Sequence, residues 1–123
     1  MIFCIGNVDY SEHVNWGSYQ MDSEDEYEEW KDIGKRKHRE YERSRCKGSV
    51  HLEFVTEQQY QSFLSNFRQS LNQDYLYMDI CAYVSNKNAD QSFRAFVTKK
   101  AKVLKDSINS RLWADVTLTV EEI

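Results

Sequence analysis

The sequence predicts an α+β domain, a β-sandwich or partly closed β-barrel with one main amphipathic helix packed on it. Three observations carry that expectation. Apolar residues recur at helical spacing between Thr56 and Asn72, whereas around residues 50, 80 and 116 they alternate with polar ones at a period of two. The 123 residues, 41% of them hydrophobic and 29% charged, suffice for one core. With no proline in the chain, no proline-rich linker divides it, and no repeat is visible, so residues 1–123 read as a single domain.

The helix begins at Thr56, whose hydroxyl caps the first turn, and Gln59 completes a capping-box pattern. Tyr60, Phe63, Leu64, Phe67 and Leu71 form its apolar stripe, and Gln58, Gln61, Ser62, Ser65 and Arg68 its polar side. Among the strands, Val50, Leu52 and Phe54 face one way and Ser49, His51 and Glu53 the other. Leu76, Met78, Ile80, Ala82 and Val84 alternate with Tyr75, Tyr77, Asp79, Cys81 and Tyr83, giving a second face that is itself partly aromatic and expected to be covered. Ser85 to Asn88 reads as a turn, because Asn tolerates the backbone angles a turn requires. Leu112, Ala114, Val116, Leu118 and Val120 mark the last strand. Phe93 to Thr98 looks extended. From Lys99 to Ser110 a helix or irregular turn is expected, since Ala101, Leu104, Ile108 and Leu112 fit a helical stripe. The opening Met1 to Gly6 suits a first strand, being too short for a secretory signal or a membrane span.

The N-terminal third is charged in blocks. Seven acidic residues lie between Asp22 and Asp32, and seven Lys or Arg between Lys35 and Lys47, with Gly34 at the junction as the expected turn. Two oppositely charged arms around a glycine predict a charged hairpin or loop region at about residues 20–48. The arms are expected to serve as an electrostatic lock, either within one chain or between subunits. Trp16, Tyr19, Tyr27 and Trp30 are mostly core by default, but their polar, charged setting makes some of them candidates for a contact surface. Together with Glu26, Glu29, Arg36, His38 and Arg39 they make the candidate protein-contact set.

No residue pattern assigns a catalytic, cofactor-binding or metal-binding role. His13, His38 and His51 form no i,i+4 pair, the acidic run lacks a calcium-loop pattern, and no carboxylate pair stands out. A non-enzymatic protein without cofactor or metal is therefore expected. The net charge of -4 argues against a nucleic-acid partner. The basic run Lys35 to Arg39 with Tyr41 is the best counter-case, offset by Glu40, Glu42 and the acidic arm upstream. Cys4 and Cys81 lie in apolar segments and read as core. Cys46 lies between Arg45 and Lys47, where positive charge would make a thiol more reactive. Three widely spaced cysteines make no disulfide framework and fit a reducing site of synthesis.

Several stretches carry a family likeness: Val8-Asp9-Tyr10-Ser11, Tyr27-Glu28-Glu29-Trp30-Lys31-Asp32, Gly34-Lys35, His38-Arg39-Glu40 and Arg43 to Val50. Leu52, Phe54, Tyr60, Phe63 and the terminal Asp115 to Glu122 continue it. In that order the chain resembles small uncharacterised proteins encoded in phages and prophages of Gram-positive bacteria, often among tail and baseplate genes. The resemblance implies a β-rich fold with a flanking helix, used as a building block in a virion ring or tube. It further implies other virion proteins as partners, a possible ring-forming homo-oligomer, and no membrane. The place implied is the virion, after synthesis in the cytoplasm of the bacterial host. The segment Ile33 to Lys37 departs from the family's turn, which is richer in glycine and asparagine. The competing expectation is an intracellular binding module of a mobile element, a regulator or an inhibitor of host defence.

Overall fold

The computed structural model describes residues 1–71, 76–106 and 111–123. Strands β1 (Phe3–Ile5), β2 (Val8–Asp9), β3 (Gln20–Lys31) and β4 (Lys37–Phe54) precede helix α1 (Glu57–Ser70). Strands β5 (Tyr77–Val84), β6 (Ala89–Asp106) and β7 (Arg111–Glu122) follow it. All pairings are antiparallel and build one seven-stranded sheet in the order β2-β1-β5-β6-β7-β4-β3.

The α+β expectation stands, but the closed form does not. The sheet is open: β2 and β3 are its two ends, and α1 supplies the opposing layer that a sandwich would take from a second sheet. Side chains nevertheless curl it. The Tyr19 hydroxyl donates to the Tyr83 carbonyl. Ser23 N–H donates to Asn86 Oδ1 at 2.8 Å, and Asn86 Nδ2 donates to the Ser23 carbonyl at 2.6 Å. The Asn86 amide thus imitates a strand partner for the start of β3 across the curl. Closure goes no further because β3 then runs outward with β4 instead of along β5.

The helix forms as its residues require. Thr56 Oγ1 accepts from Gln59 N–H at 3.2 Å, and Phe63 is fully buried. Phe63 meets Phe54 at 5.1 Å and the edge of Tyr10 at 5.4 Å, geometries that aromatic quadrupoles favour. Tyr60, Leu64, Phe67 and Leu71 are only partly buried against that core. Asn66 Nδ2 donates to the Ile5 carbonyl and the Tyr10 hydroxyl, tying the helix to β1. Inward residues of β4, β5 and β7 are buried in strict alternation, Val50, Leu52 and Phe54, Met78 to Val84, and Leu112 to Val120. Ser85–Lys87 is a 3-10 turn closed by Asn88 in the left-handed region, as its composition predicts.

Two local expectations are overturned. Residues 99–106 are no helix but the continuation of β6, paired with β7 from Ala95↔Glu122 to Asp106↔Arg111. The apparent helical stripe is fortuitous: Leu104 is 56% exposed, and Leu112 belongs to the next strand. A ladder partner, which periodicity cannot reveal, decided the matter. Ile108, with the rest of 107–110, lies outside the described residues, as do Asn72 and Tyr75. Leu76, expected inward, has a positive φ of 57° and is exposed, so β5 starts one residue later.

Phe63→Ala should lower stability by about 3–5 kcal/mol, the usual loss for a fully buried aromatic. Phe67→Ala should cost clearly less, about 1–2 kcal/mol, since only part of its surface leaves water. Urea denaturation midpoints check this, and equal shifts for the two variants would contradict the burial described.

Candidate protein-interaction site

β4 pairs with β7 only from Lys47↔Glu121 to Phe54↔Ala114, whereas β3 follows β4 out to Lys31↔Lys37. Beyond Lys47, β3 and β4 therefore have strand partners only in each other among the described residues. They form a two-stranded ribbon of roughly 25 Å at about 3.3 Å per residue. Most of its side chains are exposed. A lone ribbon has no core, so cross-strand side-chain pairs must hold it.

Its root is an arginine hub. Arg45 Nη1 meets Glu26 at 2.9 Å and Nη2 meets Glu121 at 2.9 Å, while Nε and Nη2 donate to the Glu122 carbonyl at 2.9 and 2.7 Å. Cys46 N–H donates to Glu122 Oε2 at 2.7 Å. Arg43 reaches Glu26 at 3.6 Å and the Ile123 carbonyl at 2.9 Å. The root of β3 is close against β4 because residue 48 is glycine: a Cβ there would stand 1.9 Å from the Gln20 carbonyl oxygen.

Farther out, the register shifts between Glu26 and Tyr27, leaving Glu42 without a partner in a bulge. Tyr27 and Tyr41 then pair edge to face at 5.8 Å, and the Arg39 guanidinium lies 3.8 Å over the Tyr27 ring while reaching Glu29 at 3.4 Å. Trp30, 44% exposed, stacks on His38 at 5.4 Å. In the turn, Lys35 N–H donates to the Asp32 carbonyl and Arg36 N–H to Asp32 Oδ1, both at 2.9 Å. Lys35, not Gly34, takes the positive φ, at 61°, so the expected turn glycine sits one residue early. Hydrogen bonds from His38 and from the Arg36 amide hold the Asp32 carboxyl below its ordinary 3.8. Ile33 projects fully into solvent at the tip.

The oppositely charged arms thus pair within one ribbon, each exposed pair contributing a few tenths to about 1 kcal/mol. Of the predicted contact residues, Glu26, Tyr27, Glu29, Trp30, His38 and Arg39 come together here, and Arg36 sits in the turn. Trp16 and Tyr19 do not. They belong to the body, their rings 4.7 Å apart, with Trp16 Nε1 donating to the Ser11 carbonyl at 3.3 Å. Burial pushes the Tyr19 phenol well up from its ordinary value. Sequence reasoning missed Glu28, Lys31, Lys37 and Glu40, whose significance depends on the register set by the bulge.

The cysteines exchange their expected environments. Cys46 is buried, and burial followed by the Glu122 carboxylate pushes its thiol up to about 11. Strand alternation turns Arg45 and Lys47 to the opposite face, so their charge does not activate it. Cys4 and Cys81 are half-buried cross-strand neighbours on the outward side of β1 and β5, interleaved with the buried Phe3, Ile5, Ile80 and Ala82.

Elsewhere, His51 Nδ1 lies 3.1 Å from Thr117 Oγ1 and 3.7 Å from Asp115 Oδ1. Both partners address the same ring nitrogen, an arrangement unlike a relay, in which base and orienting acid use opposite nitrogens. Among the described residues no three His, Cys, Asp or Glu side chains converge as a metal site, and no helix is long and apolar enough to cross a membrane. The fold and site together define an open-sheet α+β domain bearing a charged, aromatic β-ribbon. Compared with protein-family models, curated proteins and solved structures, the chain matches none.

Arg45→Lys should lower the stability of the ribbon root by about 1–2 kcal/mol, because an ammonium cannot reproduce the forked contacts. The check is amide hydrogen exchange of residues 22–27, with about tenfold faster exchange expected at unchanged protection of β5. In a second test, Cys46 should react with a soluble disulfide reagent at least about tenfold more slowly than Cys4 and Cys81. Mass-spectrometric mapping of the labelled thiols reads the order, and preferential labelling of Cys46 in the folded protein would contradict its burial.

Proposed function

We propose that this protein is a non-enzymatic structural or assembly subunit of a tailed bacteriophage or prophage particle, associated with the tail or baseplate. The ribbon is the observation that carries the reading. Opposite charges, stacked rings and an arginine hub preform an arm that extends beyond its own core and, among the described residues, has no further strand paired to its flanks. Exposed strand edges are a standard means of adding a neighbouring chain, and large rigid aromatics supply contact area at low entropic cost. The resemblance of its short motifs, in order, to small phage and prophage proteins is what suggests the particle as the setting. Other virion proteins are then its partners, and no catalytic step is assigned to it.

Mass spectrometry of purified particles from the source phage or induced prophage tests the proposal. Peptides of this chain at structural copy number are expected. Its absence from intact particles, with abundant protein in the lysate, would remove the virion assignment and favour a binding module that uses the same ribbon inside the cell.

A further inference from the structure

Cross-strand partners in an antiparallel ribbon share a face, so the register sorts the outer ribbon into two sides. Tyr27/Tyr41, Glu29/Arg39 and Lys31/Lys37 lie on one, as the contact of Arg39 with the Tyr27 ring requires. Glu28/Glu40 and Trp30/His38 lie on the other, as the ring stack requires. On the first side Lys31, Lys37 and Arg39 outweigh Glu29, and the side is basic. On the second, Glu28 and Glu40 form no ion pair among the described residues, and the Asp32 carboxylate reaches His38 from the turn, so the side is acidic.

Each side also carries a directly opposed pair of like charges, Lys31 with Lys37 and Glu28 with Glu40. Such pairs weaken an isolated ribbon. Elsewhere along the ribbon, cations face carboxylates, as in Arg43 with Glu26 and Arg39 with Glu29. The two repulsive pairs are of opposite sign and on opposite sides, so each is the complement of the other on a second copy.

We infer that the ribbons of successive copies stack face to face, the Lys31/Lys37 side of one against the Glu28/Glu40 side of the next. The two charge pairs lie three residues apart along the ribbon, so parallel stacked copies would be staggered by about 10 Å. At that stagger Trp30 and His38 of one copy reach the level of the other's turn, where Ile33 is exposed, and supply the apolar part of the contact. Because the two sides differ, the contact is heterologous and continues from copy to copy, closing as a ring or propagating as a fibre. This deepens the assembly reading above and rests on it only for the particle setting.

The test is sedimentation velocity of the full chain over a concentration series at low and high salt. Wild-type protein should gain mass with concentration at low salt and return to monomer at high salt, where exposed charges are screened. Glu28→Lys/Glu40→Lys and Lys31→Glu/Lys37→Glu give two like-charged sides each. Either variant alone should stay monomeric, and an equimolar mixture should recover the mass gain. The milder Glu28→Gln/Glu40→Gln guards against misfolding: relief of repulsion should slow hydrogen exchange in the ribbon while association weakens. Wild-type protein that remains monomeric throughout, variants that associate as wild type does, or a mixture no heavier than its components would overturn the stacking. A monomer found at structural copy number in particles would overturn it while leaving the virion reading intact. Stacking in vitro by a protein absent from particles would do the reverse.

Discussion

β4 belongs to two structures at once, and the point where it leaves β7 governs both. Up to Lys47 its inner edge is satisfied by the β7 ladder, and past that point the ladder stops. Glu122 carries the pairing one step further with its side chain, accepting the Cys46 amide, while the Arg45 guanidinium collects Glu26, Glu121 and the Glu122 carbonyl. A buried sheet is thereby converted into an exposed ribbon with the Cys46 donor at the junction satisfied. Backbone donors stranded there would each forfeit about 1–3 kcal/mol. The cost is small enough to meet with charged side chains because the junction lies at the rim of the core, with Cys46 just inside it.

The two halves differ in what stabilises them. In the body, α1 and the inward faces of β1, β4, β5 and β7 enclose Phe3, Ile5, Leu52, Phe54, Phe63 and Leu118, and apolar burial dominates. In the ribbon nothing is buried beyond its root, and stability is the sum of small cross-strand terms, some of them repulsive. Such a segment belongs to the low-stability end of a domain, where binding elements are commonly found.

Much of this was legible locally. Thr56 and the stripe from Tyr60 to Leu71 specify α1, and alternation specifies which residues of β4, β5 and β7 face inward. Opposite charge runs on either side of a tight turn specify that residues 20–48 fold back on themselves. These features depend on neighbours within a few positions, through capping, helical or strand period and turn chemistry. Six of the nine predicted contact residues fall on the ribbon strands for that reason, with Arg36 in the turn between them.

Pairing across distance decided the remainder. Residues 99–106 are strand because β7 lies alongside, and the sheet stays open because β3 follows β4 outward instead of returning to β5. Cys46 is buried and unactivated because its neighbours Arg45 and Lys47 alternate to the other face. Most consequential is the bulge at Glu42. A single unmatched residue changes every partner beyond it, setting Glu28 against Glu40 and Lys31 against Lys37. Composition and periodicity record how many charges each arm carries and at what spacing. Only the register of the folded ribbon determines which of them meet, because cross-strand contact depends on long-range alignment and not on the order of residues along either strand.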